Sequence, residues 1–221
     1  MRRKIDKAVI WDLDGVIADT APFHFQAWRE VVESRGRGYT EKDFQHGFGL
    51  RNDDILRYLF GDLTSEEIET LSKKKEDIFR ARIKDNIKAL PGVLRLLEIL
   101  RKEGFGIALV SSAPIENIEL VLSSLDVGKY FDCIISADDV TKGKPDPQGF
   151  LLAAKRLGME PNQCLVIEDA TAGVQAAKAA GMKCIAVTNM HPQEALAKSD
   201  LVTDNLEKIS NEGIHRLLCA I

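Results

Sequence analysis

This chain has few cysteines, no excess of basic residues and no long apolar run. The formal net charge of −4 argues against a broad surface for nucleic acid or for an anionic membrane. No run approaches the ~18 apolar residues of a membrane span, and no apolar signal-peptide core follows the basic start. We therefore expect a cytoplasmic protein and, because no coiled-coil pattern is present, a monomer. The scattered cysteines predict small buried side chains rather than a disulfide framework or a zinc site (Cys133, Cys164, Cys184 and Cys219).

Short apolar runs alternate with helical patterns along most of the chain. The runs span residues 8–11, 107–110, 133–135, 164–167 and 184–187. Each is short and unbroken, as is typical of a strand that is buried on both faces of a parallel sheet. Regular alternation with helices favours right-handed crossovers between parallel strands. The sequence therefore predicts an α/β fold.

The stretch after the first run contains only helical patterns. We predict an α/β core domain of residues 1–17 and 89–221, interrupted by an all-helical domain of residues 18–88. Within the insert, Thr64–Glu67 has capping-box spacing and opens a long helix. Lys75 falls on the apolar stripe of that helix. It either reaches past apolar neighbours to water or directs a cation into a cleft.

Polar residues follow the apolar runs at the points where the strands should end. Because parallel strands end at one edge of a sheet, we expect these side chains to converge there. Each group has a plainer interpretation as a helix cap or a turn, but several such groups on one edge favour a site. The candidates are Asp12, Asp14, Ser111, Ser112, Lys144, Glu168 and Asp169.

These residue types suit phosphoryl chemistry. The carboxylates of Asp12, Asp14, Glu168 and Asp169 offer an all-oxygen site for a hard divalent cation, and Mg²⁺ is the expected one. The metal and a lysine would neutralise phosphoryl oxygens, while Ser111 donates hydrogen bonds. A carboxylate such as Asp12 can attack phosphorus, and Asp14 is close enough to move protons.

The motifs resemble those of the haloacid dehalogenase superfamily of phosphohydrolases. Asp12–Val16 is similar to the first motif, Ser111 to the second, Lys144 to the third and Glu168-Asp169 to the fourth. The resemblance implies a Rossmann-like core and a mobile helical cap that closes over the site. It also implies Asp12 as nucleophile and Asp14 as acid/base. Mg²⁺ would be held by Asp12, the backbone carbonyl of Asp14 and Asp169, with Glu168 nearby. The acid at position 14 separates the chain from the true dehalogenases.

Within that superfamily the chain is most similar to the β-phosphoglucomutase group. The stretch from His24 to Trp28 resembles the segment after the first motif, and Arg51 and Lys75 match cap residues that meet the sugar phosphate. The chain departs at Ala113-Pro114-Ile115, where the mutase has a Ser-Lys-Asn stretch that helps to hold the distal phosphate. We therefore expect a Mg²⁺-dependent phosphatase that acts on a small phosphorylated metabolite, such as a sugar phosphate, through an aspartyl-phosphate. A sugar phosphomutase is the alternative.

Two interpretations from other functional classes fit less well. A receiver domain of a signalling pathway also combines acids, a hydroxyl and a lysine, but it needs neither a helical cap nor a second acid after the phosphorylated one. A silent binding module would be expected to lack one of the motifs, and all are present. Turnover of an aryl phosphate with Mg²⁺ separates both from an enzyme.

Overall fold

A six-stranded parallel sheet forms the centre of the protein, in a computed structural model that describes residues 6–84 and 86–219. The strands are β1 (Ala8–Trp11), β2 (Gly106–Val110), β3 (Cys133–Ile135), β4 (Cys164–Glu168), β5 (Lys183–Val187) and β6 (Leu201–Thr203). Their spatial order is β3-β2-β1-β4-β5-β6, and every neighbouring pair is parallel. The strand order reverses around β1, which is where open α/β sheets bind ligands. The prediction of an α/β fold with a Rossmann-like sheet is confirmed.

Helices cover both faces of the sheet. They are α5 (Val93–Glu103), α6 (Ile115–Ser124), α7 (Gln148–Leu157), α8 (Thr171–Ala179) and α9 (Asn211–Cys219). Because side chains alternate along a strand, β1 contributes Val9 and Trp11 to one apolar cluster with α5, α6 and α9. It contributes Ala8 and Ile10 to a second cluster with α7 and α8. Burial on both faces explains why the strands are unbroken apolar runs.

The last part of the chain differs from its sequence pattern in two places. Strand β6 was not predicted, because it has three residues, lies at the sheet edge and begins with the exposed Leu201. The sequence pattern predicts one helix around residues 206–219, but the structure divides this stretch. Leu206–Lys208 is a short 3₁₀ turn, and the side chain of Asn205 accepts a hydrogen bond from its second residue. Extended backbone at Ile209 then separates this turn from α9.

Four helices lie between β1 and α5: α1 (Ala21–Glu33), α2 (Glu41–Gly47), α3 (Asn52–Phe60) and α4 (Ser65–Ile83). Their buried side chains, including Val31, Leu56 and Leu71, form an apolar cluster of their own. The predicted capping box begins α4, since the Thr64 side chain accepts from the backbone N–H of Glu67. None of the helices in the described residues combines the length and apolar character needed to cross a membrane.

The two chain segments that join these helices to the sheet lie side by side. Ala18 and Ala89 form an antiparallel bridge, and the N–H of Leu90 donates to the carbonyl of Ile17 at 2.9 Å. The helical insert is therefore connected to the sheet through one paired crossing, immediately after the end of β1.

Candidate active site

The carboxyl ends of the central strands bring the predicted polar residues together. Asp12 directly follows β1, and its N–H donates to the carbonyl of Ile167 at 3.0 Å, so it continues the pairing with β4. Ser111 follows β2 in the same way, and Glu168 ends β4. The side chains of Asp12, Ser111 and Glu168 are all buried. The expected convergence at one sheet edge is what the topology produces.

Lys144 links two of these carboxylates from the loop after β3. Its ammonium donates to Oδ1 of Asp12 and to Oε1 of Glu168, both at 2.5 Å. Burial alone would lower the pKa of Lys144, but the two carboxylates outweigh burial and raise that pKa above its ordinary value. Lys144 therefore carries its charge at the centre of the site.

Glu168 positions the lysine and the start of the next loop. While its Oε1 accepts from Lys144, its Oε2 accepts from the backbone N–H groups of Asp169 and Ala170, both at 2.8 Å. The first turn of α8 lies so close that a Cβ on Gly173 would be 1.7 Å from Oε1 of Glu168. Only glycine fits at that position, and the carboxylate of Glu168 is held from several sides.

Three buried carboxylates form a set that suits a divalent cation. Asp12, Glu168 and Asp169 each offer an oxygen, and these oxygens lie within 4.8 Å of one another. Burial and the neighbouring carboxylates raise the pKa values of Asp12 and Asp169 well above their ordinary range. The buried Oδ2 of Asp169 has no hydrogen-bond partner among the described residues. An unpaired oxygen beside like charges, with all-oxygen donors, fits a hard cation such as Mg²⁺.

The Asp14 carboxylate lies outside this set, so the predicted group of four carboxylates is reduced to three. Sequence spacing puts Asp12 and Asp14 on one face only if the chain stays extended. Instead it turns here, because Ile17 donates its N–H to the carbonyl of Leu13 at 2.9 Å and Gly15 adopts a positive φ of 80°. The side chain of Asp14 is thereby directed toward the helical insert. A role for its backbone carbonyl stays a prediction.

Asp14 is held by two residues at the start of the insert. The hydroxyl of Thr20 donates to Oδ1 at 2.6 Å, and Nε2 of His24 lies 3.1 Å from the same oxygen. Burial alone would raise the pKa of Asp14, but the hydrogen bonds from His24 and Thr20 and the attraction of Lys75 lower it. Asp14 is therefore a carboxylate at neutral pH.

The ammonium of Lys75 does not reach solvent, so the interpretation that it extends past apolar neighbours to water is wrong. Its side chain is buried, and the ammonium lies 2.9 Å from Nδ1 of His24 and 2.8 Å from Oε1 of Glu76. The rings of Trp28 and Phe79 each lie 5.3 Å from this ammonium. Because an ammonium can only donate, Nδ1 of His24 accepts and Nε2 carries the proton toward Asp14. A chain of hydrogen bonds thus runs from α4 to Asp14.

Several residues of this network were not found from the sequence. Thr20 precedes α1 without a motif of its own. Asn117, whose side chain donates to Oε2 of Glu76, lies on α6 outside the second motif. Glu76 sits beside Lys75, and neighbouring positions on a helix do not share a face. The available signal was its spacing of three and seven residues from the buried Phe79 and Ile83.

A cleft lies between the sheet edge and the insert. Asp12, Asp14, His24, Trp28 and Lys75 all line it. The predicted substrate residues of α1 and α4 therefore share one cleft with the proposed nucleophile and acid/base. Further aromatic walls come from Tyr39, Phe44 and Phe48.

Arg51 and Ser112 each contact the main chain of the other part of the protein. The guanidinium of Arg51 donates to the carbonyls of Ala137 at 3.3 Å and Val140 at 2.8 Å, and it does not line the cleft beside Asp14. It lines a small neighbouring pocket with Ser111, Ser112 and Lys144. The hydroxyl of Ser112 donates to the carbonyl of Gly49 at 2.8 Å and connects the core to the insert. Both residues join the two parts of the protein here.

Known proteins are similar to this chain in sequence and in fold. The model of the family described as "Haloacid dehalogenase-like hydrolase" matches residues 9–187. A "Phosphorylated carbohydrates phosphatase" of Thermotoga maritima is 36% identical over 203 residues, which are 89% of this chain and 92% of the relative. A "Beta-phosphoglucomutase" of Bacillus subtilis is 35% identical over 217 residues, covering 95% and 94%. A crystal structure of beta-phosphoglucomutase from Clostridium difficile superimposes with a TM-score of 0.86 at 32% identity, and 97% of each chain is covered. This chain belongs to the haloacid dehalogenase-like hydrolase family and is an enzyme of its phosphatase type.

Proposed function

We propose that the protein hydrolyses the monoester of a small phosphorylated sugar, with Mg²⁺ as cofactor and Asp12 as nucleophile. The observation that carries the proposal is the arrangement around Asp12. Its carboxylate lies 2.5 Å from Lys144 and beside Glu168 and Asp169, while Asp14 lines the same cleft. The carbohydrate phosphatase activity named for the 36% identical relative supports a sugar phosphate as substrate.

In the first step, an oxygen of Asp12 attacks phosphorus and the bond from phosphorus to the leaving oxygen breaks. The hydroxyl of Ser111 and the ammonium of Lys144 bind the phosphoryl oxygens. Asp12 and Asp169, with the backbone carbonyl of Asp14, would hold Mg²⁺. The bound cation would lower the pKa of Asp12 and neutralise charge on the phosphoryl group.

Asp14 supplies and removes the protons. The leaving oxygen of the sugar takes a proton from Asp14 when its bond to phosphorus breaks. A dianionic phosphate beside Asp14 raises the pKa of that carboxyl, so the proton is taken up when substrate binds. In the second step Asp14 accepts a proton from water, which attacks the aspartyl-phosphate and restores Asp12 while phosphate leaves. Asp14 can accept this proton because it has given its own to the leaving oxygen and is again a carboxylate.

The helical insert serves as a cap in this proposal, with residues 18–88 as one domain and the rest as the core. The paired segments at Ala18 and Ala89 are the natural hinge, because they are the crossing between the two parts. Contacts of Arg51 with Ala137 and of Ser112 with Gly49 hold the cap against the core. A closed cap keeps bulk water away during phosphoryl transfer.

The sugar phosphomutase is the alternative function, and one observation favours it. The mutase of Bacillus subtilis is 35% identical, and this chain keeps Arg51 and Lys75. Against it stands Ala113-Pro114-Ile115, whose side chains donate no hydrogen bond to a second phosphate.

The proposal is tested by following phosphate release from an aryl phosphate and from a panel of sugar phosphates, with and without Mg²⁺. We expect Mg²⁺-dependent release, and loss of release in Asp12→Asn. An enzyme that releases no phosphate from any of these compounds would contradict the proposed function.

A further inference from the structure

The cleft beside Asp14 contains a buried ion pair within its wall. Among the described residues that line it, Lys75 is the only lysine or arginine. Its ammonium donates to Oε1 of Glu76 at 2.8 Å, and the side chains of Lys75 and Glu76 are only 3% and 6% exposed. The cation that the family resemblance assigns to the substrate is therefore paired inside the protein.

Glu76 is fixed from three helices. Its Oε1 accepts from Asn52 of α3 at 2.7 Å as well as from Lys75, and its Oε2 accepts from Asn117 of α6 at 2.5 Å. The carbonyl oxygen of Asn117 accepts in turn from Arg80 at 2.9 Å. Burial alone would raise the pKa of Glu76, but Lys75, His24 and the hydrogen bonds lower it, so the carboxylate keeps its charge. An anchored carboxylate does not move aside for a substrate anion.

The net charge of this wall follows from the ion pair between Lys75 and Glu76. The charges of these two side chains sum to zero, and Asp14 adds a negative charge nearby. The other cationic candidate, Arg51, donates to main-chain carbonyls of the core outside this cleft. Aromatic rings such as Trp28 and Phe44 provide apolar faces, and rings of this kind pack well against the C–H face of a sugar. The space for the leaving group is thus suited to hydroxyls and not to a second anion.

We propose that Glu76 is a specificity-determining residue, which neutralises Lys75 so that the cleft selects monophosphates of uncharged polyhydroxylated leaving groups. Substrates whose leaving group carries a carboxylate or a second phosphate are rejected. This inference rests on the proposed phosphatase function and adds the charge of the preferred leaving group.

The test uses two compounds that differ at one carbon. Sorbitol 6-phosphate and 6-phosphogluconate share six carbons, their secondary hydroxyls and the phosphate, but C1 is a hydroxymethyl group in the first and a carboxylate in the second. Each is measured as a competitor of aryl phosphate hydrolysis, so the comparison works whether the compound is turned over or only bound. We expect the wild-type protein to prefer sorbitol 6-phosphate by about tenfold or more, as one unpaired charge in a cleft predicts.

Three variants vary the charge of the pair. Glu76→Gln leaves a net positive pair and should improve competition by 6-phosphogluconate relative to sorbitol 6-phosphate by about tenfold. Lys75→Gln leaves a net negative pair and should shift the ratio the other way. The double variant K75Q/E76Q is uncharged and should return to the wild-type ratio. Effects on Asp14 cancel, because both competitors carry the same phosphate.

The outcomes test the proposed phosphatase function and the role of Glu76 separately. If the wild type does not hydrolyse the aryl phosphate, the proposed function fails. If it does, but sorbitol 6-phosphate does not compete or the ratio is the same in all folded variants, the role of Glu76 is wrong. Should Glu76→Gln fail to fold in a thermal melt, Lys75→Gln and the double variant still decide. A shifted ratio in Lys75→Gln that the double variant reverses supports the inference, and an equal ratio in both overturns it.

Discussion

The imidazole of His24 lies 3.1 Å from the carboxylate of Asp14, so a helix of the cap holds the proposed acid/base of the core. The same ring stacks on Phe79 with 4.0 Å between ring centroids, which fixes its orientation. Lys75 donates to the other ring nitrogen, so packing between two helices of the cap sets both the position and the tautomer of His24. The geometry of Asp14 therefore depends on residues from both parts of the protein.

Asp12→Asn should abolish turnover, because an amide is a poor nucleophile and a poor ligand for Mg²⁺. The substitution also removes one of three crowded carboxylates, so we expect the melting temperature without Mg²⁺ to stay equal or rise. Phosphate release and a thermal melt measure the two effects. Normal turnover in a folded Asp12→Asn protein would refute the assignment of the nucleophile.

Asp14→Asn should lower turnover of a sugar phosphate by about 10²- to 10⁴-fold, the usual contribution of a general acid and base. An aryl phosphate has a leaving oxygen that needs no proton, so formation of the phospho-enzyme should be affected much less with it. The measurement is the burst of leaving-group release, phenol from the aryl phosphate and sugar from the sugar phosphate, followed by the steady state. Equal losses of the burst with the two substrates would contradict the acid role.

Removal of Mg²⁺ by a chelator should abolish activity, with Mn²⁺ able to replace it and Ca²⁺ inhibiting. Ca²⁺ prefers more ligands at longer distances, which loosens the alignment that in-line attack needs. Binding also has a readout besides activity, since added Mg²⁺ should raise the melting temperature of the wild type. Asp169→Asn should lose this rise. Activity that survives exhaustive chelation would remove the metal from the mechanism.

Glu76→Ala should destabilise the fold by about 3–5 kcal/mol, because it leaves the buried Lys75 without a counter-charge. The neighbouring Asp77 is the matched control. Its ion pairs with Lys73 and Arg80 lie at the surface, so Asp77→Ala should destabilise the fold far less. Urea unfolding at pH 7 compares the two variants, and similar losses would show that the buried pair has no special role.

The same carboxylate makes stability depend on pH. The folded pKa of Glu76 lies below its ordinary value of 4.5, so its contribution is fully present above that value. As the pH falls below 4.5 and through the lower folded pKa, the contribution is lost. Over that window the free energy of unfolding of wild type should fall more steeply than that of Glu76→Gln. Parallel curves for the two proteins would contradict the charged state of Glu76.

The sequence predicts most of the sheet and its polar edge because both depend on local patterns. Apolar runs end abruptly at Asp12, Ser111 and Glu168, and parallel strands must carry those ends to one side. Strand β6 has no such run, so its pairing with β5 is visible only in three dimensions. Glu76 illustrates the same limit. Its partner Asn117 is 41 positions away, and no periodicity links a cap helix to a core helix.

The position of Arg51 shows a limit of predicting the role of a residue from its match to a family motif. Its match to a cap residue of the mutase group predicts contact with substrate. In this structure its guanidinium contacts the carbonyls of Ala137 and Val140 instead. Those contacts depend on how the cap docks on the loop after β3, which a motif does not encode. Substrate binding by Arg51 therefore stays a prediction.

The last prediction concerns hydrolysis against phosphoryl transfer to a second hydroxyl of the sugar. A mutase must hold a bisphosphate while it turns over, so its cleft needs donors for two phosphates. Ala113, Pro114 and Ile115 have no side-chain donor, and proline also lacks the backbone N–H. Loss of one charge-assisted hydrogen bond weakens binding by about 1.5–3 kcal/mol, which is roughly tenfold to hundredfold in affinity for a bisphosphate.

The phospho-enzyme should therefore react with water and release inorganic phosphate, and it should need no bisphosphate activator. The measurement supplies β-glucose 1-phosphate and follows glucose 6-phosphate and free phosphate in the same reaction. We expect phosphate to appear faster than glucose 6-phosphate, and addition of glucose 1,6-bisphosphate should not reverse that order. The variant P114K places a donor on this segment, and it should raise the share of glucose 6-phosphate. If the wild type forms glucose 6-phosphate much faster than it releases phosphate, the protein is a mutase, and the absent donors at positions 113–115 do not determine the fate of the phospho-enzyme.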